Sequence, residues 1–154
     1  KMKNNNLYKL AYADLLTGMM NKNAYEERLQ SFRNNPDSIN KFSVAIIDLD
    51  NLEYINNIYG QHTVDEAIKI TARCIFDTLG EIGMCYHIGS GRFSCVAVGD
   101  ISGYVSALRD LVSFEAANDL SVSVGYVNYN NKFNDIDEVI RHCDKMIQDE
   151  KNMG

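Results

Sequence analysis

The pattern that most restricts this fold lies in residues 82–98. Two β-prone apolar runs, 82–88 and 93–98, are separated only by Gly89-Ser90-Gly91-Arg92. Glycines between such runs read as a tight turn, which makes the runs neighbouring antiparallel strands. Helical patterns flank the pair on both sides. A hairpin inside that order excludes an all-parallel sheet and implies an α/β (α+β) fold with a mixed sheet and helices packed on it.

The remaining elements follow from periodicity and punctuation. Residues 3–13 carry Leu7, Leu10 and Ala11 on one stripe, a helical spacing. Asn21 is placed to cap a helix over 22–32 whose buried face is Tyr25, Leu29 and Phe32. The only proline, Pro36, sits in the polar stretch 34–40 and marks a loop. Residues 42–47 form a near-continuous apolar run ending at Asp48, the mark of a strand buried on both faces. Ala67, Ile68, Ala72, Ile75 and Leu79 recur at helical spacing within 64–79. A helix over 102–114, a Val/Ser-alternating strand over 120–127 with one wet or ligand-facing side, and a helix over 136–151 complete the order. The 154 residues suffice for one domain with a substantial core, and no internal repeat or linker divides them.

Charge and cysteine usage remove several function classes. A net charge of −6 argues against nonspecific nucleic-acid binding, though not against a local basic pocket for phosphate. No apolar run reaches the roughly 20 residues of a membrane span. The polar start, Lys1-Met2-Lys3-Asn4-Asn5-Asn6, has no apolar core of a secretory signal and reads as a piece of a longer chain. Cys74, Cys85, Cys95 and Cys143 form no Cys-x-x-Cys pair, and His62, His87 and His142 add no metal-ligand spacing. Free, partly buried thiols in a reducing cytoplasm are expected, and Cys85 and Cys95 flank the hairpin, where they could approach each other.

Chemistry concentrates at the end of the buried strand. Asp48-Leu49-Asp50 places two carboxylates at a strand mouth, where they suit a hard cation such as magnesium. Taken alone, such a pair is more often simply solvated. Asn56 and Asp65 follow, and an amide with a carboxylate can read a purine edge by donating and accepting hydrogen bonds. Each alone is more often a cap or a surface residue.

The spacing of several motifs resembles the GGDEF family, the diguanylate cyclases. Asp14-Leu15-Leu16-Thr17-Gly18-Met19-Met20-Asn21-Lys22 resembles its opening Asp-x-Leu-Thr-x-Leu-x-Asn-Arg, and residues 48–60 its Asp-x-Asp-x-Phe-Lys-x-x-Asn-Asp-x-x-Gly. Asp65 falls on a guanine-reading Asp, Ser123-Val124-Gly125 on a Ser-x-Gly strand, and residues 144–154 on the closing motif. The resemblance runs from about residue 10 to the end and implies a palm-like nucleotide-cyclase fold, with a central mixed, largely antiparallel sheet of about five strands flanked by helices. Family members join two GTP into cyclic di-GMP, each protomer of a homodimer holding one. By that likeness Asp48 and the Leu49 carbonyl are metal ligands, Asn51 and Leu52 present backbone to the phosphates, Asn56 and Asp65 hold guanine, and Lys151 touches the triphosphate.

The signature itself departs from the family. Gly-Gly-Asp/Glu-Glu-Phe is here Gly89-Ser90-Gly91-Arg92-Phe93, so Gly91 and Arg92 stand where acids would complete the metal site. Glu53 replaces a Lys, and an Arg92–Glu53 pair formed by swapped charges is expected. Gly80 and Gly83 occupy the positions of the Arg-x-x-Asp inhibitory site, which is therefore absent, and His87 replaces an Arg. Losing one preorganised electrostatic group costs a catalyst about 2.7–4 kcal/mol. The expectation is a degenerate, catalytically inactive domain with no catalytic residue and a weakened or absent magnesium site. It would be a regulatory or GTP-binding module of bacterial cyclic di-GMP signalling, excised from a larger cytoplasmic protein whose neighbouring domains are its partners. The alternatives are an interaction or dimerisation module without nucleotide, and an active cyclase.

Overall fold

The computed structural model describes residues 7, 10–115, 120–130 and 132–153. Its elements are α1 (Lys22–Asn34), a 3-10 turn (Pro36–Lys41), β1 (Ser43–Leu49), α2 (Leu52–Tyr59), α3 (Gln61–Leu79), β2 (Gly83–His87), β3 (Arg92–Ala97), α4 (Ser102–Glu115), β4 (Val122–Val127) and α5 (Ile136–Met153). The strands are ordered β2-β3-β1-β4, and all three pairings are antiparallel. The sheet thus has four strands among the described residues, the four placed from the sequence, where the family resemblance implies about five. Its parallel component is one isolated bridge between Met20 and Tyr86. Most of the expected helix over 3–13 lies outside the described residues.

The apolar run of β1 faces two ways because successive side chains alternate. Ala45, Ile47 and Leu49 join a core with α3, α4 and the buried Phe93, while Val44 and Ile46 join a second core with α1 and α5. The sheet is therefore sandwiched between helices. Asn21 caps α1 as expected, its Oδ1 accepting from the Ala24 amide at 3.0 Å.

Two departures from the sequence reading concern the stretch after β1. The helix expected over 64–79 begins at Gln61, and α2 precedes it unforeseen. Asn51 (φ 60°) turns the chain out of β1, and Gly60 (φ 89°) separates α2 from α3. The eight residues of α2 bury only Ile55, too few apolar positions to reveal a period.

Gly125 sets how close α5 lies to the sheet. A Cβ there would fall 2.0 Å from the Cys143 carbonyl oxygen. Only glycine admits that approach, which brings the polar side of α5 over the ends of β1 and β3.

Candidate functional site

The polar cluster begins at the register of the sheet. Asp48 lies directly opposite Arg92 on β3 and opposite Ser123 on β4. Arg92 donates from Nε to Asp48 Oδ1 at 2.7 Å and from Nη2 to Oδ2 at 3.1 Å, a two-pronged grip on the carboxylate. Its Nη1 donates to Asp144 Oδ1 of α5 at 2.8 Å. The bond to Asp48 chiefly raises the Arg92 pKa above its ordinary value, against the opposing effect of burial. The expected Arg92–Glu53 pair does not form. Glu53 is exposed in the first turn of α2, where its charge suits the helix dipole, and Arg92 turns to the two aspartates instead.

The second acid of the strand mouth is also engaged. Asp50 accepts from Ser123 Oγ at 2.7 Å, Ser121 Oγ at 2.8 Å and Lys151 Nζ at 3.0 Å. Burial alone would raise its pKa, but the two hydroxyls and the ammonium together hold it below the usual carboxylate value. The polar side of β4 is therefore the Asp50 side. Ser123 is buried there rather than wet, and Ser121 is exposed. On α5, Glu150 accepts from the Val124 amide at 3.0 Å and pairs with Arg109, covering the edge of β4.

These residues do not fit a magnesium ion. A hard cation requires several free oxygen ligands, and both Asp48 oxygens are bound to Arg92. Position 91 carries no carboxylate, and a Cβ built there would lie 2.8 Å from Leu52 Cδ2 and 3.1 Å from Leu49 Cβ. Leu49 is buried, its amide donating to the Gly91 carbonyl at 2.8 Å. Among the described residues no three His, Cys, Asp or Glu side chains are grouped to hold a metal. The Arg92 guanidinium and the Lys151 ammonium carry the positive charge of this cluster.

The signature hairpin is closed by the Arg92 carbonyl, which accepts from the Ile88 amide at 2.9 Å and the Gly89 amide at 3.3 Å. His87 braces it. Its Nδ1 lies 3.0 Å from Asp14 Oδ2 and its Nε2 3.0 Å from the Ser90 carbonyl, with the ring stacked on Phe93. Asp14 sits in the opening loop. Burial would raise its pKa, but bonds from Thr17 and His87 lower it overall. The sequence singled out both residues as motif members without foreseeing that they meet.

The other sequence-selected residues are spread over the adjoining helices. Asn51 and Leu52 form the turn into α2. Asn56 is exposed on α2, and its side-chain amide makes no hydrogen bond among the described residues. Asp65 lies on α3 and accepts from Gln61 Nε2 at 2.9 Å. Gly80 and Gly83 lie apart from this cluster, Gly80 directly after α3 and Gly83 at the start of β2. Asp144 is the ligand of Arg92 that the sequence reading missed; it was noted only as the start of a closing motif. The four cysteines are free and buried, with the Cys85 and Cys95 sulfurs 3.8 Å apart.

The sequence profile described as "Diguanylate cyclase, GGDEF domain" matches residues 11–154. The chain belongs to the GGDEF family. Among curated relatives, Diguanylate cyclase DgcN of Escherichia coli (strain K12) is 27% identical over 135 residues, covering 80% of this chain and 33% of that protein. Cyclic di-GMP phosphodiesterase PdeR of the same organism is 25% identical over 154 residues, covering 94% of this chain and 23% of that protein. The chain thus spans a third or less of these two relatives. Among solved structures, the GGDEF domain of DgcB from Caulobacter crescentus in complex with c-di-GMP superposes with a TM-score of 0.80 at 18% identity, covering 94% of this chain and 92% of that one. The FimX GGDEF domain from Pseudomonas aeruginosa gives 0.78 at 15% identity, covering 93% and 95%. These two likenesses establish the fold, and the family places the chain in cyclic di-GMP signalling.

Proposed function

We propose that this GGDEF domain is a regulatory module that holds a guanine nucleotide and does not convert GTP to cyclic di-GMP. One observation carries the reading: Arg92 spans Asp48 and Asp144 at 2.7–2.8 Å, where a cyclase of this family needs a divalent cation. Phosphoryl transfer relies on metal to bridge phosphate oxygens and to neutralise developing charge. A guanidinium fixed on Asp48 displaces that function. The purine side is less altered, because the Asn56 amide is exposed and uncommitted and Asp65 shares only one oxygen with Gln61. The domain would work in the cytoplasm as part of a longer polypeptide, passing nucleotide occupancy to a neighbouring domain or across a homodimer.

A second reading rests on Lys151 and Arg92 together. Both cations are held by acids of the same cluster, so a triphosphate must compete with Asp50, Asp48 and Asp144 for them. On that reading the domain binds no nucleotide and serves only as a docking or dimerisation surface. Two measurements decide. Purified protein incubated with GTP and magnesium should form no cyclic di-GMP by chromatography, and product would overturn the proposal. A fluorescent GTP analogue should bind and lose about tenfold in affinity in Asn56→Ala, the equivalent of one or two hydrogen bonds. A flat titration would favour the second reading.

A further inference from the structure

A cavity of about 710 Å³ lies away from the aspartate–arginine cluster, between the loop at 16–20, the outer face of α3 and the first residues of β2. That volume is within the range of small-molecule sites. Its walls are apolar and soft. Met19, Met20 and Met84 line it with Phe76, which is 64% exposed, and Met84 is 45% exposed. Methionine-rich walls adapt to apolar ligands of varied shape. Gly80 and Gly83 supply bare backbone, and at Gly83 no side chain fits, since a Cβ would lie 2.6 Å from the Val96 carbonyl oxygen.

The polar groups of the lining share one sign. Lys69 and Arg73 of α3 border the cavity, and no Asp, Glu, Asn or Gln does. Arg73 is exposed and makes no ion pair or hydrogen bond among the described residues. Lys69 has only an exposed contact with Glu66 at 3.5 Å. The remaining hydroxyl, Thr17 Oγ1, is engaged with Asp14 and the Met19 amide. Two available cations beside an apolar hollow give this patch the opposite sign to the chain's net charge of −6. Gly80 and Gly83 stand in this lining where the family's Arg-x-x-Asp inhibitory pattern would be, and the lining carries no carboxylate to complete that pattern.

We infer that this cavity is a binding site for a long-chain carboxylate, its tail against the methionines and Phe76 and its head on Arg73 and Lys69. The inference is independent of the nucleotide reading. Calorimetric titration with dodecanoate below its micelle threshold tests it. One molecule should bind per chain, with octanoate weaker by up to about fourfold for each methylene removed. Dodecyltrimethylammonium, with the same tail and the opposite charge, should bind at least about tenfold more weakly, and Arg73→Glu should weaken dodecanoate by a similar factor. Met84→Glu, which puts a carboxylate among the tail contacts at an exposed position, should do the same. Thermal melts of both variants confirm that they fold. Equal binding of the two head groups, or dodecanoate affinity unchanged in both variants, would overturn the inference. Displacement of dodecanoate by cyclic di-GMP would overturn it as well, since the hollow would then be a nucleotide site.

Discussion

Replacing Arg92 by methionine keeps much of its apolar stem and removes the charge that joins β1, β3 and α5. The cost follows from the exposure of its two partners. The Asp48 side chain is 18% exposed and gripped by two bonds, whereas the Asp144 side chain is 45% exposed and held by one. Exposed ion pairs contribute about 0–1 kcal/mol, and stripping one partner from a buried pair costs about 3–5 kcal/mol. The Asp48 arm lies between these limits, at about 2 kcal/mol, and the Asp144 arm adds less than about 1 kcal/mol. Arg92→Met should therefore lower stability by about 2–3 kcal/mol, a fall in Tm of roughly 5–10 °C for a chain of this size. A double-mutant cycle with Asp48→Asn, read by urea unfolding, should return a coupling of at least about 1 kcal/mol, and the cycle with Asp144→Asn a smaller one. Magnesium supplies a second check. It should leave the Tm of the parent chain unchanged and raise that of Arg92→Met, because an ion that binds only the folded state stabilises by mass action. An Asp48 coupling below about 0.3 kcal/mol, or equal stabilisation of both proteins by magnesium, would refute the view that Arg92 fills the cation position.

Two further outcomes test the surroundings of this cluster. Asp50 and Asp14 have folded pKa values below their unfolded ones, so their contributions are present above the ordinary carboxylate value of about 3.9 and are lost as pH falls through the folded values. Ser123→Ala removes a bond that lowers Asp50, and the midpoint of acid unfolding followed by circular dichroism should move to higher pH; an unchanged midpoint would count against the hydroxyl's role. Gly125→Ala forces a methyl group against the Cys143 carbonyl and should cost at least about 2 kcal/mol in urea, with amide exchange in α5 accelerating more than in α3.

Where one side chain's periodicity or one turn's chemistry decides an element, the sequence was a sufficient guide. The hairpin, the doubly buried β1, the Asn21 cap and the helices α1, α4 and α5 lie within a few residues of expectation. The helix α2 escaped because its eight residues carry one buried side chain and its boundaries are set by two positive-φ positions, Asn51 and Gly60. The site was harder to read. A family pattern marks Arg92 and Glu53 as altered and Asp48 as kept, but pairing between such charges depends on which strand faces which. Register puts Arg92 opposite Asp48, and the Gly125 contact brings Asp144 within reach. Neither distance is encoded locally, so a charge swap with Glu53 looked equally reasonable from composition alone.

The charge inversion at position 92 also has a consequence for the resting molecule. Acids gathered to hold a cation repel one another until the cation arrives, and that repulsion is a standing cost of a competent site. Here Asp48 and Asp144 are neutralised by a guanidinium carried within the chain, and Asp50 by Lys151 with two serine hydroxyls. The cluster is complete without any ion, and it ties α5 to both β1 and β3. A ligand that drew both Arg92 and Lys151 away would therefore release α5 at two points, Asp144 and Lys151. On the proposed reading, these pairs would couple occupancy of the cleft to the seating of α5, as a module that reports nucleotide without consuming it requires.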